Sequence, residues 1–502
     1  MSPRFSSEVM ASDANRWRGS ELGTTRDKGG TTLSRVEAAA ALPAATLLQR
    51  LKQPSPYAGL CAIAVFALLL RLGSILPFGG TGRWMDPNTD SAGYVALANG
   101  IRHGCGFAPM DNGKCLAPEV NRTPGYPFFL AAMPSIEGAL IAQATVAGVL
   151  IFVIGVFVSR RWGSGAAFVT SLLAAADVPS IVYGSEVMTE TLFMAAFTFA
   201  VLAELSAMHP RCGDTKRLSL LGLASLLFGY AIFVRPIGLV AVPVAAMIPL
   251  LAMRAGCLKR IAFFGTLVAV SFVIVAGWSL RNRAVTGTAA FSTIGSRNFF
   301  YYRAGGTLAY AHGIGWEAEL HQLQAPAFAN LNGYALRIIM AHPVAFAEMT
   351  AWSLLYLCVV PDRGPLSHLL GVQRSFSVED PGSMRVKSAL ERMGEAPGAA
   401  IRSIFRTEFD SSMTLVLLIT FQLVTAAFLW TGAALALRHW QRGSYEGTCL
   451  VSLAGSAFVL LIIASGPEAT ARFRVPAMAL LAMIAGVGWL GRREGGSPAP
   501  AR

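Results

Sequence analysis

A carboxylate followed by a tyrosine at helical spacing is the most informative feature of the sequence. Asp90 opens the stretch Asp-Ser-Ala-Gly-Tyr, and Asp90, Tyr94 and Ala98 share one face of a predicted short helix. The apolar side chains of this amphipathic helix would lie on a membrane surface while the carboxylate is presented at the interface. A carboxylate in that position can draw a proton from a hydroxyl group. The structural alternative is that Asp90 only caps the helix.

Arginines recur near the outer ends of the predicted helices. Arg122 stands in Asn-Arg-Thr-Pro-Gly-Tyr126-Pro, Arg235 in Val-Arg-Pro, and Arg472 and Arg474 in Arg-Phe-Arg-Val-Pro. Each of them alone is consistent with an ordinary interfacial arginine. Several on one face together with a carboxylate indicate a phosphate-binding site, because guanidinium forks match phosphate oxygens.

The acidic residues match no specific metal-binding motif. Glu190 lies in a predicted outer turn, where helix capping is its simplest role. The run Asp-Pro-Asn-Thr-Asp90 imitates the start of an EF-hand loop, but Ser91 and Leu97 stand where Gly and Glu are needed. A looser divalent metal site stays open, and the sequence indicates no other cofactor.

The spacing of the cysteines and the absence of familiar sequence motifs argue against several classes of protein. Seven cysteines show neither CxxC nor Cys/His spacing, which argues against structural zinc. Cys105 and Cys115 fall in one predicted outer loop, where a disulfide and two free thiols are both open. The sequence contains no Walker A loop, HExxH motif, GxSxG motif or Rossmann fingerprint. This absence argues against ATP-driven transport and against nucleotide binding of the kind found in soluble enzymes.

Long apolar runs separate these polar motifs. Of 502 residues, 54% are hydrophobic and 14% charged, whereas a soluble domain carries about 25% charged residues. Ten runs approach the length of a membrane span: 57–78, 135–158, 165–183, 188–208, 218–234, 237–253, 261–280, 413–437, 449–465 and 476–490. The sequence therefore predicts an all-α, polytopic membrane helical bundle of about ten spans, with amphipathic interfacial helices in the first outer loop.

The positive charge predicts the orientation of the bundle. The net charge of +13 is spread over short basic runs between spans, which argues against nucleic-acid binding and indicates cytoplasmic loops. The outer loops are then 79–134, 281–412 and 466–475, within a transmembrane domain over 56–491. Residues 1–55 form a predicted disordered cytoplasmic tail. Residues 492–502 form a predicted cytoplasmic tail. A full span over 342–361 would move basic loops outside, so this run is predicted to be interfacial or re-entrant.

The order of the motifs resembles the GT-C membrane glycosyltransferases. Within this superfamily, the sequence is most similar to the branch around the dolichyl-phosphate-mannose–protein mannosyltransferases and the bacterial lipid A aminoarabinose transferase. The resemblance rests on Asp90-Ser-Ala-Gly-Tyr94, Arg122-Thr-Pro-Gly-Tyr126-Pro, 185–190, Val234-Arg235-Pro236, Trp278-Ser-Leu-Arg281-Asn282 and Arg472-Phe-Arg474-Val-Pro476.

This resemblance implies a hexosyl or pentosyl transferase that moves a sugar from a polyprenyl phosphate to a lipid, glycan or protein acceptor. The reaction would occur at the extracytoplasmic face of a cell membrane, the bacterial inner membrane above all. The implied roles are catalysis by Asp90, donor-phosphate binding by Arg122, Arg235, Arg472 and Arg474, and substrate binding or support by Tyr94, Tyr126 and Glu190. Ser91 stands where the protein mannosyltransferases often carry a second acid, which weakens a metal-assisted scheme.

Two other functions fit a polytopic chain. A flippase or transporter of a polyprenyl-linked saccharide would line a central path with charge, whereas the notable charges of this chain lie in outer loops and Arg71 is a rare exception within a span. A non-catalytic membrane scaffold would leave the outer carboxylate and arginines without a role. The sequence predicts neither the sugar nor the acceptor.

Overall fold

The computed structural model describes residues 56–75, 90–252, 256–324, 330–359, 413–441, 443–467 and 469–492. Within these ranges the chain is almost wholly helical, and the predicted all-α membrane bundle is confirmed. The predicted tail 1–55 and most of the tail 492–502 lie outside the described residues, as do parts of all three predicted outer loops. The bounds of the predicted transmembrane domain therefore stay a prediction.

The helices and strands are numbered in chain order. The first half contains α1 (Pro56–Ile75), α2 (Ser91–Arg102), β1 (Met110–Asp111), β2 (Lys114–Cys115), α3 (Gly125–Ala132), α4 (Ile136–Trp162), α5 (Ser164–Ala176), α6 (Val178–Gly184), α7 (Glu190–Ala207), α8 (Asp214–Val234), α9 (Gly238–Ala252) and α10 (Cys257–Thr286). The second half contains α11 (Ile294–Asn298), a π-helical segment (Phe299–Ala304), α12 (Gly305–His312), α13 (Trp316–Gln322), α14 (Leu331–Ala341), α15 (Pro343–Val359), α16 (Met413–Leu435), α17 (Tyr445–Ala464), α18 (Ala471–Arg474) and α19 (Met478–Leu490).

Eight helices in the described ranges are long and apolar enough to cross a membrane, when α18 and α19 count as one. Two bent pairs raise the total to ten: α5 with α6, bent by 52°, and α14 with α15, bent by 97°. The sharper bend is compatible with a broken span or a re-entrant loop. That residues 342–361 are interfacial or re-entrant therefore stays a prediction. Helix α9, predicted as a span, has 15 residues and carries Pro243 and Pro249 in its interior.

The basic ends of several helices meet at one end of the bundle. The Arg161 guanidinium donates to the Tyr445 hydroxyl at 3.1 Å, and that hydroxyl donates to the Leu205 carbonyl at 2.6 Å. The backbone N–H of Arg492 donates to the Trp162 carbonyl at 2.9 Å. The carboxyl ends of α4, α7 and α19 therefore lie close together, near the start of α17.

Helix α7 runs through the centre of the bundle and is the most deeply buried of the candidate spans. Phe193 and Phe197 stack with ring centroids 5.6 Å apart, and Phe197 packs edge-on against Phe228 of α8. With 18 residues, α7 is about 27 Å long and separates Glu190 at its start from the basic ends by roughly the thickness of a bilayer core.

Candidate active site

Asp90 directly precedes α2 and faces two arginines. Arg122 Nη2 lies 3.0 Å from Asp90 Oδ1, and Arg472 Nη2 lies 3.3 Å from Oδ2. The Asp90 side chain makes no capping hydrogen bond with α2, so capping does not account for this residue. Its side chain is 33% exposed, which leaves the carboxylate within reach of a substrate.

Glu190, the first residue of α7, forms the buried part of the site. Its Oε1 accepts hydrogen bonds from Arg235 Nη1 and Arg472 Nε, each at 2.5 Å, and the side chain is fully buried. Arg235 Nη1 also donates to the Thr189 hydroxyl at 3.1 Å. A buried carboxylate needs such partners, because an unpaired charge away from water is strongly destabilising.

Arg472 joins the two carboxylates into one arrangement, which we call the Asp/Arg network. The network consists of Asp90, Glu190, Arg122, Arg235 and Arg472. Three guanidinium groups outnumber two carboxylates, so the network carries one surplus positive charge. That balance suits a singly charged phosphodiester, and the partly exposed arginines could bind its oxygens.

Gly93, the glycine in Asp-Ser-Ala-Gly-Tyr, lies in close contact with the Arg122 guanidinium. A Cβ atom on Gly93 would lie 2.2 Å from Arg122 Nη1, so any other residue here would force this guanidinium to move. The same guanidinium lies over the Tyr94 ring, 5.2 Å from its centroid. Gly93 and Tyr94 thus form the surface on which Arg122 approaches Asp90.

Tyr126 supports the network from beneath and is fully buried. Its ring packs edge-on against Tyr94, with centroids 5.1 Å apart. The Tyr126 hydroxyl donates to Gln143 Oε1 at 3.1 Å, and Gln143 Nε2 donates to the carbonyls of Gly184 and Glu186, both at 3.1 Å. This chain of contacts ties α3 and α4 to the segment that leads into Glu190. Sequence reasoning missed Gln143, because a single amide in an apolar span gives no pattern.

The backbone on both sides of Arg122 is anchored. Thr123 Oγ1 donates to the Val234 carbonyl at 2.9 Å, next to Arg235. On the other side, Ser292 Oγ donates to the Asn121 carbonyl at 2.5 Å. Arg122 is therefore held by both α8 and the chain that follows α10.

Cys105 and Cys115 form a disulfide, which decides between the two alternatives left by the sequence. Their Cα atoms lie 5.5 Å apart, and the bond closes the loop that contains the β1–β2 hairpin. Arg281 donates to the carbonyls of Phe107 and Glu119, at 3.1 and 3.0 Å, and so fastens this loop to α10.

Arg474 is the one predicted phosphate ligand that does not join the network. Its side chain is buried, and Nη1 donates to the carbonyls of Leu357 and Cys358 at 3.2 and 2.9 Å. Its Nη2 lies 3.8 Å from Asp177 Oδ1. The physical reason is helical geometry: residues two apart in α18 point in nearly opposite directions, so Arg472 and Arg474 cannot face the same group.

Electrostatics keep the reactive groups in defined protonation states. Burial raises the pKa of Asp90, but the nearby Arg472 and Arg122 lower it by more, so the pKa lies below its ordinary value. Burial, assisted by Asp90, raises the pKa of Tyr94 to about 12. At neutral pH the Asp90 carboxylate is therefore ionised, and the Tyr94 hydroxyl keeps its proton.

The described residues contain no group of three or more His, Cys, Asp or Glu side chains placed to hold a metal ion. Asp90 and Glu190 are the acids of the site, and arginine already pairs with both. A divalent ion at Asp90 would therefore have to displace a guanidinium.

No family model matches the chain, and no curated protein matches it either. Several solved structures are similar over most of it, among them the following two. The archaeal oligosaccharyltransferase AglB from Archaeoglobus fulgidus, in complex with an inhibitory peptide and a dolichol-phosphate, has a TM-score of 0.48 and 13% identity, over 85% of this chain and 49% of AglB. ArnT from Cupriavidus metallidurans, bound to undecaprenyl phosphate, has a TM-score of 0.38 and 14% identity, over 86% of this chain and 77% of ArnT.

The chain spans about half the length of AglB, and identities of 13% and 14% describe a distant likeness of fold.

Proposed function

We propose that this protein transfers a sugar from a polyprenyl-phosphate donor to a hydroxyl group of a lipid, glycan or protein acceptor. The observation that carries the proposal is that Arg472 forms ion pairs with both Asp90 and Glu190. This contact brings a partly exposed carboxylate and an excess of guanidinium groups to one place.

Asp90 would act as the base. The acceptor oxygen attacks the anomeric carbon of the sugar, the bond from that carbon to the phosphate oxygen breaks, and Asp90 takes the hydroxyl proton. A positioned base of this kind contributes about 10²–10⁴ in rate. Asp90 is suited to the role because it is ionised at neutral pH and one third exposed.

Arg122 and Arg472 would stabilise the leaving polyprenyl phosphate. Their side chains are 21% and 18% exposed, so both can reach a ligand while part of the bulk water is excluded. Guanidinium groups already fixed in position bind the growing negative charge without reorganising during the reaction. Glu190 keeps Arg472 and Arg235 in place when a phosphate competes with Asp90 for them.

Two observations support an active site at the outer face of the cell membrane. The basic ends of the helices meet at the end of the bundle opposite to Glu190, as the positive-inside rule expects of a cytoplasmic side. The disulfide lies in the loop that leads to Arg122, and disulfides persist in oxidising compartments. A bacterial inner membrane with its site facing outward fits both.

A flippase for a polyprenyl-linked saccharide is the alternative. Such a protein would carry charge along a path through the bundle. In the described part of the chain, the Asp/Arg network instead lies at one end of the helices, and buried Arg71 donates to the Ala67 carbonyl of its own helix. These placements favour the transferase.

The test uses the full-length protein in proteoliposomes with lipid-linked sugars extracted from cells that lack it. Asp90→Asn should lower sugar transfer by at least about 100-fold while the protein inserts and folds normally. Asp111→Asn, in the exposed β1 strand, is the matched control and should transfer at the wild-type rate. Full activity of the Asp90→Asn protein would remove the proposed base. Accumulation of an intact lipid-linked saccharide on the inner leaflet of the deletion strain would support the flippase instead.

A further inference from the structure

The segment that carries Arg472 has little structure of its own. Helix α18 contains four residues, too few for a stable isolated helix, and it follows a turn after α17. Arg472 nevertheless contacts two carboxylates that belong to different parts of the chain. Other parts of the protein must therefore fix the segment, and the described contacts show which parts these are.

One contact involves the π-helical segment and α12, which fall in the second predicted outer loop. Arg303 donates to the Ile463 carbonyl at the end of α17. A Cβ atom on Gly306 would lie 2.5 Å from Pro467 Cγ and 3.0 Å from Met349 Sδ. The proline ring cannot rotate away as a flexible side chain would, so the contact needs glycine at position 306.

A second contact comes from α15. The described part of this helix ends at Val359, and its last turn presents backbone carbonyl groups. Arg474 Nη1 donates to two of them, at Leu357 and Cys358, and Trp430 Nε1 of α16 also donates to the Cys358 carbonyl at 2.9 Å. Arg474 thus links the end of α18 to the bent helix pair.

We propose that α12 and α15 hold the Arg472 segment from both sides and so set the position of Arg472 between Asp90 and Glu190. Gly306, Pro467 and Arg474 are then positioning residues. This inference rests on the proposed function for its kinetic readout. A misplacement of about 1 Å at a catalytic group can cost 10²-fold in rate, so a small shift of this segment should be visible in kcat.

The main test is Gly306→Ala, which should push Pro467 and displace Arg472. We expect kcat to fall by about 10- to 100-fold with little change in the acceptor KM. Gly333→Ala is the matched control, because nothing lies within 4 Å of a Cβ atom there. The double variant G306A/P467A removes the clashing ring atoms and should recover most of the lost kcat. A Gly306→Ala protein with wild-type kcat, or a loss that the second substitution does not repair, would overturn the inference.

Arg474→Met separates positioning from direct donor binding. A positioning residue predicts a lower kcat with nearly unchanged equilibrium binding of polyprenyl monophosphate, measured by tryptophan fluorescence in detergent. Weaker lipid binding with unchanged kcat would instead assign Arg474 to the donor phosphate and contradict our proposal.

An experimental structure of the Gly306→Ala protein distinguishes failure of this inference from failure of the proposed function. The distance from Arg472 Nε to Glu190 Oε1, 2.5 Å in the wild type, should lengthen in this variant. An unchanged distance would refute the positioning role even in a protein without transferase activity. If the wild-type protein transfers no sugar but this distance still lengthens in the Gly306→Ala protein, only the proposed transferase function is refuted.

Discussion

Arg472 Nε and Glu190 Oε1 lie 2.5 Å apart, and Nη2 of the same guanidinium lies 3.3 Å from Oδ2 of the partly exposed Asp90. One arginine therefore has a permanent buried partner and an accessible one. The accessible carboxylate can exchange for a substrate phosphate while the buried carboxylate keeps the guanidinium in place. This division of roles leads to the predictions below.

Glu190→Gln should destabilise the protein. The substitution leaves Arg235 and Arg472 without their shared buried anion, and breaking a buried ion pair costs about 3–5 kcal/mol. Thermal unfolding in detergent measures the effect. Asp214→Asn breaks an exposed pair with Arg217 and should cost less than about 1 kcal/mol. Equal stability of both variants would mean that Glu190 does not hold the arginines.

Removing the accessible guanidinium groups should impair use of the donor. Arg122→Ala and Arg472→Ala should each lower kcat by about 10²–10³, as loss of one fixed donor to a developing charge does elsewhere. The donor KM should rise more than the acceptor KM. Arg337→Ala, at an exposed site on α14, provides a comparison that should behave as wild type. Equal effects on both substrates would assign the two arginines to the fold alone.

The pH dependence should reflect the depressed pKa of Asp90. In the proposed reaction the carboxylate acts as the base in its ionised form, so activity should be complete above the folded-state pKa and should be lost as the pH falls through it. Because that pKa lies below its ordinary value, the acid limb of kcat/KM for wild type should lie at a lower pH than an unperturbed aspartate would give.

Arg122→Ala should shift this limb to higher pH, since one of the cations that lower the pKa of Asp90 is gone. The comparison requires only the pH at which the acid limb of the Arg122→Ala protein lies relative to that of the wild type. A limb that stays in place would show that another group controls the rate.

Gly93→Ala should reduce transfer without weakening the fold. The new methyl group would meet the end of the Arg122 side chain, which can swing away at low cost but then loses Asp90. Sugar transfer and the unfolding temperature are measured together. Gly295→Ala, with no neighbour within 4 Å of the added atom, serves as the control. Wild-type transfer by Gly93→Ala would show that Arg122 needs no contact with Asp90.

Labelling of single cysteines should reveal the orientation. In a protein whose five free cysteines are replaced, Asp111→Cys in the hairpin should react with a membrane-impermeant maleimide in intact cells. Lys216→Cys, at the basic end of α8, should react only after permeabilisation. The reverse pattern would place the Asp/Arg network in the cytoplasm and contradict the proposed face.

The sequence contained enough information to bring most of the network together. Asp90, Arg122, Arg235 and Arg472 all fall in predicted outer loops or turns between apolar runs, and the positive-inside rule places those loops on one side of the membrane. The fold class followed from the same runs. What the pattern could not supply was the partner of each arginine, because ion pairing depends on distances between elements far apart in the chain.

Arg474 illustrates the limit. Its direction depends on where the four-residue helix α18 begins, and such a short helix leaves no periodic signal. Gln143 was missed for a different reason: its hydrogen bonds join α3 to the segment before α7, and nothing in its own neighbourhood indicates a polar partner. Both residues act through contacts that exist only after the helices have packed.

The surplus positive charge of the network has a practical consequence for anyone who purifies or assays this protein. Small divalent oxyanions in a buffer would be attracted to the same guanidinium groups as the lipid substrate. Phosphate or sulfate salts should therefore depress measured turnover, whereas a zwitterionic amine buffer with chloride should leave it intact.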